Sequence, residues 1–77
     1  MYELWIIHPW HGSESLHFSS RNEVLEELHR RGFRFVWDYE QGRVVLYADG
    51  GYRAQVLCDN RDVTRSFNVR TNLPVLY

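Results

Sequence analysis

"FRFVWDYEQGRVVLYADGGYRAQVL" (residues 33–57) holds three apolar-rich runs separated by two glycine turns, and its reading decides the fold. Side chains of a strand alternate between faces, so Phe33, Phe35, Trp37 and Tyr39, all of one parity, give the first run an aromatic face. Gln41–Gly42 predicts a two-residue hairpin turn that sets Tyr39 against Val44, Trp37 against Leu46 and Phe35 against Ala48. The reverse face then pairs Glu40 with Arg43 and Val36 with Tyr47. A second hairpin follows at Asp49–Gly51. A three-residue loop there opposes Ala48 to Tyr52, Leu46 to Ala54 and Val44 to Val56, whereas a two-residue loop would oppose Leu46 to Gln55. The apolar pattern selects the longer loop.

Upstream of this stretch, Ser20 and Glu23 form a capping-box pattern, Val24, Leu25 and Leu28 make an apolar stripe, and Gly32 suits a left-handed C-terminal cap. A helix over about 21–31 follows, with Glu26–Arg30 and Glu27–Arg31 as i,i+4 pairs. "YELWIIH" (2–8) is apolar on both parities, as in a strand covered on both faces or central in its sheet, and Pro9 ends it. Residues 11–20, "HGSESLHFSS", read as a polar loop leading to the helix. "DNRD" (59–62) is turn chemistry. Val63, Phe67 and Val69 share a parity that predicts a last strand, although Val63 and Phe67 also sit one helical turn apart. The end, "LPVLY" (73–77), is apolar enough to pack against the domain.

The 77 residues make one domain, 1–77. Its expected class is α+β, a two-layer β-α-β-β-β(-β) arrangement with one helix on a mainly antiparallel sheet of four or five strands. Helix stripe and aromatic parity should make the core.

Composition removes several functions. One cysteine, Cys58, permits neither an intrachain disulfide nor a cysteine-rich zinc cage. No basic-then-apolar leader and no apolar run of membrane length is present in the sequence, so the expected address is the cytoplasm. Net charge is −1, which gives no general electrostatic pull toward nucleic acid. All nine cations are arginine, consistent with GC-rich codon usage or with a need for planar guanidinium forks.

Chemistry-bearing patterns are sparse. His8, His11 and His17 fall within ten residues, but their spacing matches neither HExxH nor a zinc finger, and the reading of "WIIHPWHG" (5–12) is a strand exit followed by loop. No metal or cofactor is therefore expected. Asp38 and Glu40 share a strand face without the lysine that a PD-(D/E)xK nuclease requires, "HFS" (17–19) has no second copy, and Cys58 has no activating neighbour in sequence. The chain is expected not to be an enzyme.

"RGFRFV" (31–36) resembles the RNP1 segment of RNA-recognition-motif domains through Arg31, Gly32, Phe33, Phe35 and Val36. "LWIIHP" (4–9) resembles the partner RNP2 strand through Leu4, Trp5 and Ile6. The resemblance implies an open sheet face on which these aromatics stack bases. The chain departs from the family's pattern at Arg34 and Asp38, and in placing the RNP1-like strand directly after the helix. A core role for Phe33, Phe35, Trp37 and Tyr39 competes with it.

A surplus of apolar surface is more informative. With the helix over the Phe35 face, the opposite face carries Val36, Val45, Tyr47 and Leu57, set among Arg34, Arg43, Arg53 and Gln55, with Trp5 or Ile7 joining from the first strand. Such mixtures are enriched at interfaces. These eight residues are the expected partner-binding set. The expected function is a small non-catalytic interaction protein that binds and inhibits or regulates a protein or ribonucleoprotein. In size and lack of catalytic residues it is similar to one-domain inhibitors encoded by phages and mobile elements, anti-CRISPR proteins among them. Single-stranded RNA or DNA binding on the sheet face is the alternative. Homodimerisation, or cover by "LPVLY", competes for the same patch.

Overall fold

The computed structural model describes residues 1–67. Strands β1 (Tyr2–His8) and β2 (Gly12–Phe18) form a hairpin, helix α1 (Arg21–Arg30) follows, and then come β3 (Arg34–Asp38), β4 (Arg43–Ala48), β5 (Tyr52–Cys58) and the short β6 (Arg61–Asp62). A 3-10 turn, Thr64–Phe67, closes the described chain. The sheet order is β2-β1-β5-β4-β3, with β6 on β5, and every pairing is antiparallel. The fold is α+β, one helix on one face of a six-stranded antiparallel sheet.

The helix begins and ends as its sequence dictates. Ser20 Oγ accepts from the Glu23 N–H while Glu23 Oε1 accepts from the Ser20 N–H, completing the capping box. At the other end Gly32 takes φ +78°, its N–H donates to His29 O and that of Phe33 to Leu28 O. This is a Schellman cap, whose accompanying apolar contact brings together buried Leu28 and Phe33. Glu27 gathers both Arg30 and Arg31, so the Glu26–Arg30 pair expected from spacing gives way to an i,i+3 pair.

Val24, Leu25 and Leu28 meet Leu4 and Ile6 of β1, Phe35 of β3, Leu46 of β4 and Val56 of β5 in one core. The helix lies over β1 and β2, and the 3-10 turn lies over β4 and β5, where Phe67 is fully buried. Arg21 ties the two roofs together. Its Nη2 donates to Ser66 O at 2.8 Å and its guanidinium lies 4.3 Å from the Phe67 ring centroid.

Four expectations need correction. First, residues 12–18 are a strand rather than loop. Leu16 faces Leu4 and Phe18 faces Tyr2 on the core side, while Ser13, Ser15 and His17 fall on the solvent side, an alternation diluted by serine and glycine. Second, the β3–β4 connection spans four residues, 39–42, because Asp38 opposes Arg43. The pairs are accordingly Phe35–Leu46, Trp37–Val44, Val36–Val45 and Arg34–Tyr47. Asp38 Oδ1 accepts from the N–H groups of Glu40 and Gln41, and Gly42 N–H donates to Asp38 O at 2.7 Å, so a side chain rather than a Gly-containing two-residue turn fixes the loop.

Third, the aromatic parity is split. Phe33 and Phe35 are buried, but Trp37 is 52% exposed and Tyr39, now in the loop, 88%. Their rings meet edge to face at 6.3 Å, at the end of an edge strand away from the helix. Fourth, Thr64–Phe67 is a 3-10 turn rather than strand. Before it, Asp59 and Asn60, at φ 52° and 68°, form a two-residue hairpin loop with both centres left-handed. Val69 and the 73–77 segment lie outside the described residues.

Candidate docking face

Strand pairing puts all eight expected residues on one face of the sheet. β3 contributes Arg34 and Val36, β4 Arg43, Val45 and Tyr47, and β5 Arg53, Gln55 and Leu57. Trp5 and Ile7 join from β1, opposite Gln55 and Arg53. The helix lies on the other side with Phe67 of the 3-10 turn, whose Thr64 and Arg65 reach the rim of this face, and among the described residues no element crosses it. Ile7 is 42% exposed. Val45, by contrast, is nearly buried by its neighbours.

The three arginines of the patch differ in what they can still bind. Arg53 Nη1 lies 2.7 Å from Asp38 Oδ2, an ion pair by distance whose angle falls outside hydrogen-bond geometry. Asp38 is the one charged residue buried among the described residues. The Gln41 N–H, then that of Glu40 and the Arg53 charge, overcome its burial and hold its carboxyl below the usual range. Arg53 is thus partly structural. Arg34 reaches Asp49 at 3.1 Å and lies 5.9 Å over the Tyr47 ring. Arg43 instead donates from Nε to Gln41 Oε1 at 2.7 Å and has no ion-pair partner among the described residues.

Two hollows adjoin on this face and share Val45 and Arg53. One, about 440 Å³ and wide open, runs along β3 from Arg34 and Tyr47 past Val36 to the exposed Trp37 and Tyr39. The other, about 340 Å³ and more enclosed, is a cleft within the sheet. It exists because two hairpins claim one edge of β5. β4 pairs β5 through Ala48–Tyr52, Tyr47–Arg53 and Leu46–Ala54, and there the ladder stops. Beyond it the β5 edge is taken by the returning chain: Val63 N–H donates to Val56 O, Val56 N–H donates to Thr64 Oγ1, and Leu57 opposes Asp62. The expected Val44–Val56 pair therefore never forms, and β4 diverges.

Sequence reasoning missed Tyr39, Asp38, Gln41, Asp62 and Arg65 as parts of this surface, and Trp37, which borders it from the opposite parity at the end of the edge strand. Trp37 and Tyr39 were placed in the core by parity alone. Arg65 enters the cleft because the 3-10 turn returns it beside β4, and no local pattern encodes that return.

His8 and His11 stay together, their rings edge to face at 6.4 Å, and only His17 is set apart. His8 Nε2 is 2.8 Å from Glu14 Oε1 and packs on Tyr52, His11 is in the hairpin turn, and His17 stands beside Glu3 on the opposite face of the sheet. Among the described residues no cluster of three or more histidine, cysteine, aspartate or glutamate side chains could hold a metal ion. Nor, among them, is any helix long and apolar enough to cross a membrane. The RNP-like segments split as well: Phe33 and Phe35 are buried in the core under the helix and unavailable for stacking, which removes both aromatics of the RNP1-like segment and leaves only Trp5 of the RNP2-like strand on the outer face. No known family profile matches the chain, and neither curated proteins nor solved structures yield a match.

Proposed function

We propose that this chain is a non-catalytic interaction protein that docks a protein or ribonucleoprotein partner on its outer sheet face and thereby inhibits or regulates it. One observation carries the reading. Val36, Val45, Tyr47 and Leu57 share a face with Arg34, Arg43, Arg53 and Gln55, and no described element covers it. The half-buried Val36, Tyr47 and Leu57, around a buried Val45 and ringed by arginine, supply both desolvation and directional contacts, the combination typical of interface hot spots. The two hollows give that surface relief for side chains to enter. Phage-type inhibitors, anti-CRISPR proteins included, are the class this profile resembles.

The test uses Tyr47→Ala with Arg43→Ala. Arg53 is left intact because its removal would strand the Asp38 carboxylate. The tagged protein is used to capture partners from its native cell, with mass spectrometry and nucleic-acid detection on the eluate. The double variant is expected to keep its thermal midpoint and lose the captured partner. Capture unchanged in a folded double variant would reject the reading. An eluate holding nucleic acid alone, released by moderate salt, would favour the alternative of single-strand binding at Trp37 and Tyr39.

A further inference from the structure

We propose that the cleft between β4 and the β6–3-10 segment receives an acidic side chain of a protein partner, flanked there by an apolar one. This rests on the docking-face reading and adds to it a pocket and a ligand chemistry. Arg43 comes from β4, Arg65 from the 3-10 turn and Arg53 from β5, and all three line the cleft. Among the described residues neither Arg43 nor Arg65 has an ion-pair partner. Arg43 is aimed by its Nε contact with Gln41, which leaves its two terminal nitrogens to present a fork to a carboxylate. Its lining also includes the aliphatic Ile7, Val44, Val45 and Ala54. An acid with an apolar neighbour matches both parts.

The cleft's own acid is already engaged. Asp62 accepts from Gln55 Nε2 at 3.0 Å and from the Thr64 N–H at 2.9 Å, which turns its carboxylate toward the β5 wall. A polyanionic strand fits less well. Phosphates recur along a backbone and need a continuous positive track, whereas Asp38, Asp49, Asp62 and Glu3 interrupt the charge of this face. A single acid between apolar groups needs only one positive pocket.

The experiment is a nitrogen-15 NMR titration of the full chain with the capped dipeptide acetyl-Glu-Leu-amide. Parallel titrations use acetyl-Gln-Leu-amide, inorganic phosphate and a thymidine oligonucleotide. The expected result is a saturable shift at the Arg43 and Arg65 Nε–H groups and the Gln55 and Thr64 amides. The glutamine peptide should bind at least tenfold more weakly. Arg43→Gln with Arg65→Gln should weaken the glutamate peptide at least tenfold, and Glu26→Gln, on the helix across the sheet, should leave it unchanged. Equal binding of the two peptides, or no cleft shift at 20-fold excess over the amount that saturates an arginine-rich control peptide, would overturn the proposal. So would an oligonucleotide that binds more tightly than the glutamate peptide and displaces it. A cleft that stays silent while the Tyr47→Ala, Arg43→Ala double variant still loses the captured partner would reject the acidic pocket and leave the docking face standing.

Discussion

The two edges of β5 are built from the same seven residues, Tyr52–Cys58, and behave differently. Along one edge β1 pairs without interruption from Tyr2–Cys58 to Ile7–Arg53. Along the other, β4 holds the first three positions and the β6 hairpin and Thr64 hold the rest. The closed edge puts Leu4 and Ile6 under the helix and makes core. The divided edge makes a cleft with arginines on its rim. A single strand thus contributes stability on one side and a recess on the other, because two hairpins cannot both occupy one row of backbone groups.

If the divided edge is held by the 3-10 turn, its anchor should matter most. Phe67 is fully buried between β4, β5 and Arg21. Phe67→Ala should cost about 3–5 kcal/mol, as large as a core deletion on the closed edge. Urea unfolding would measure it, and a loss below 1 kcal/mol would mean the turn merely rests on the sheet. Thr64→Val comes next. Its hydroxyl accepts the Val56 N–H at 2.8 Å, and removing that acceptor leaves a partly buried donor unpaired, at about 1–3 kcal/mol. A neutral Thr64→Val variant would show that β4 can close onto β5 when the competitor is removed.

The smallest effect concerns Asp62. Burial raises its carboxyl pKa, but the Thr64 hydroxyl and N–H, Gln55 and nearby Arg43 outweigh that and hold it below the ordinary value. The unfolded chain therefore takes up the proton first as pH falls. The stabilisation is fully present above about pH 4 and is lost as pH drops through the lower folded value. Asp62→Asn should lower the urea midpoint slightly at pH 6 and converge with the unmodified protein near pH 2. A gap that widens toward acid would contradict the assignment.

Local signals were legible wherever neighbouring residues decide the structure. Ser20, Glu23, Leu28 and Gly32 announce the helix and both its caps, since every contact lies within one turn. The Ala48–Tyr52 and Leu46–Ala54 register is readable because glycines and apolar parity agree. The same parity placed all eight outer-face residues, which tolerates the two-residue error in the β3–β4 register because a shift by two keeps every face. What the sequence conceals depends on which distant segment arrives first. Nothing in "GSESLHF" says that β1 has an unpaired edge to offer it. Nothing in the Trp37 region says that the helix stops short of the end of β3. Arg53 and Asp38 look alike to other surface charges until the hairpins bring them together.

The central claim is that the sheet has two unlike faces, one covered by the helix and Phe67 and one that no described element covers. Hydroxyl-radical footprinting of the free protein, read by mass spectrometry at single residues, tests it most directly. The account predicts clear labelling at Tyr47 and Leu57 with little at Phe35 and Phe67. Tyr47 and Leu57 as silent as Phe67 in the free protein would contradict it.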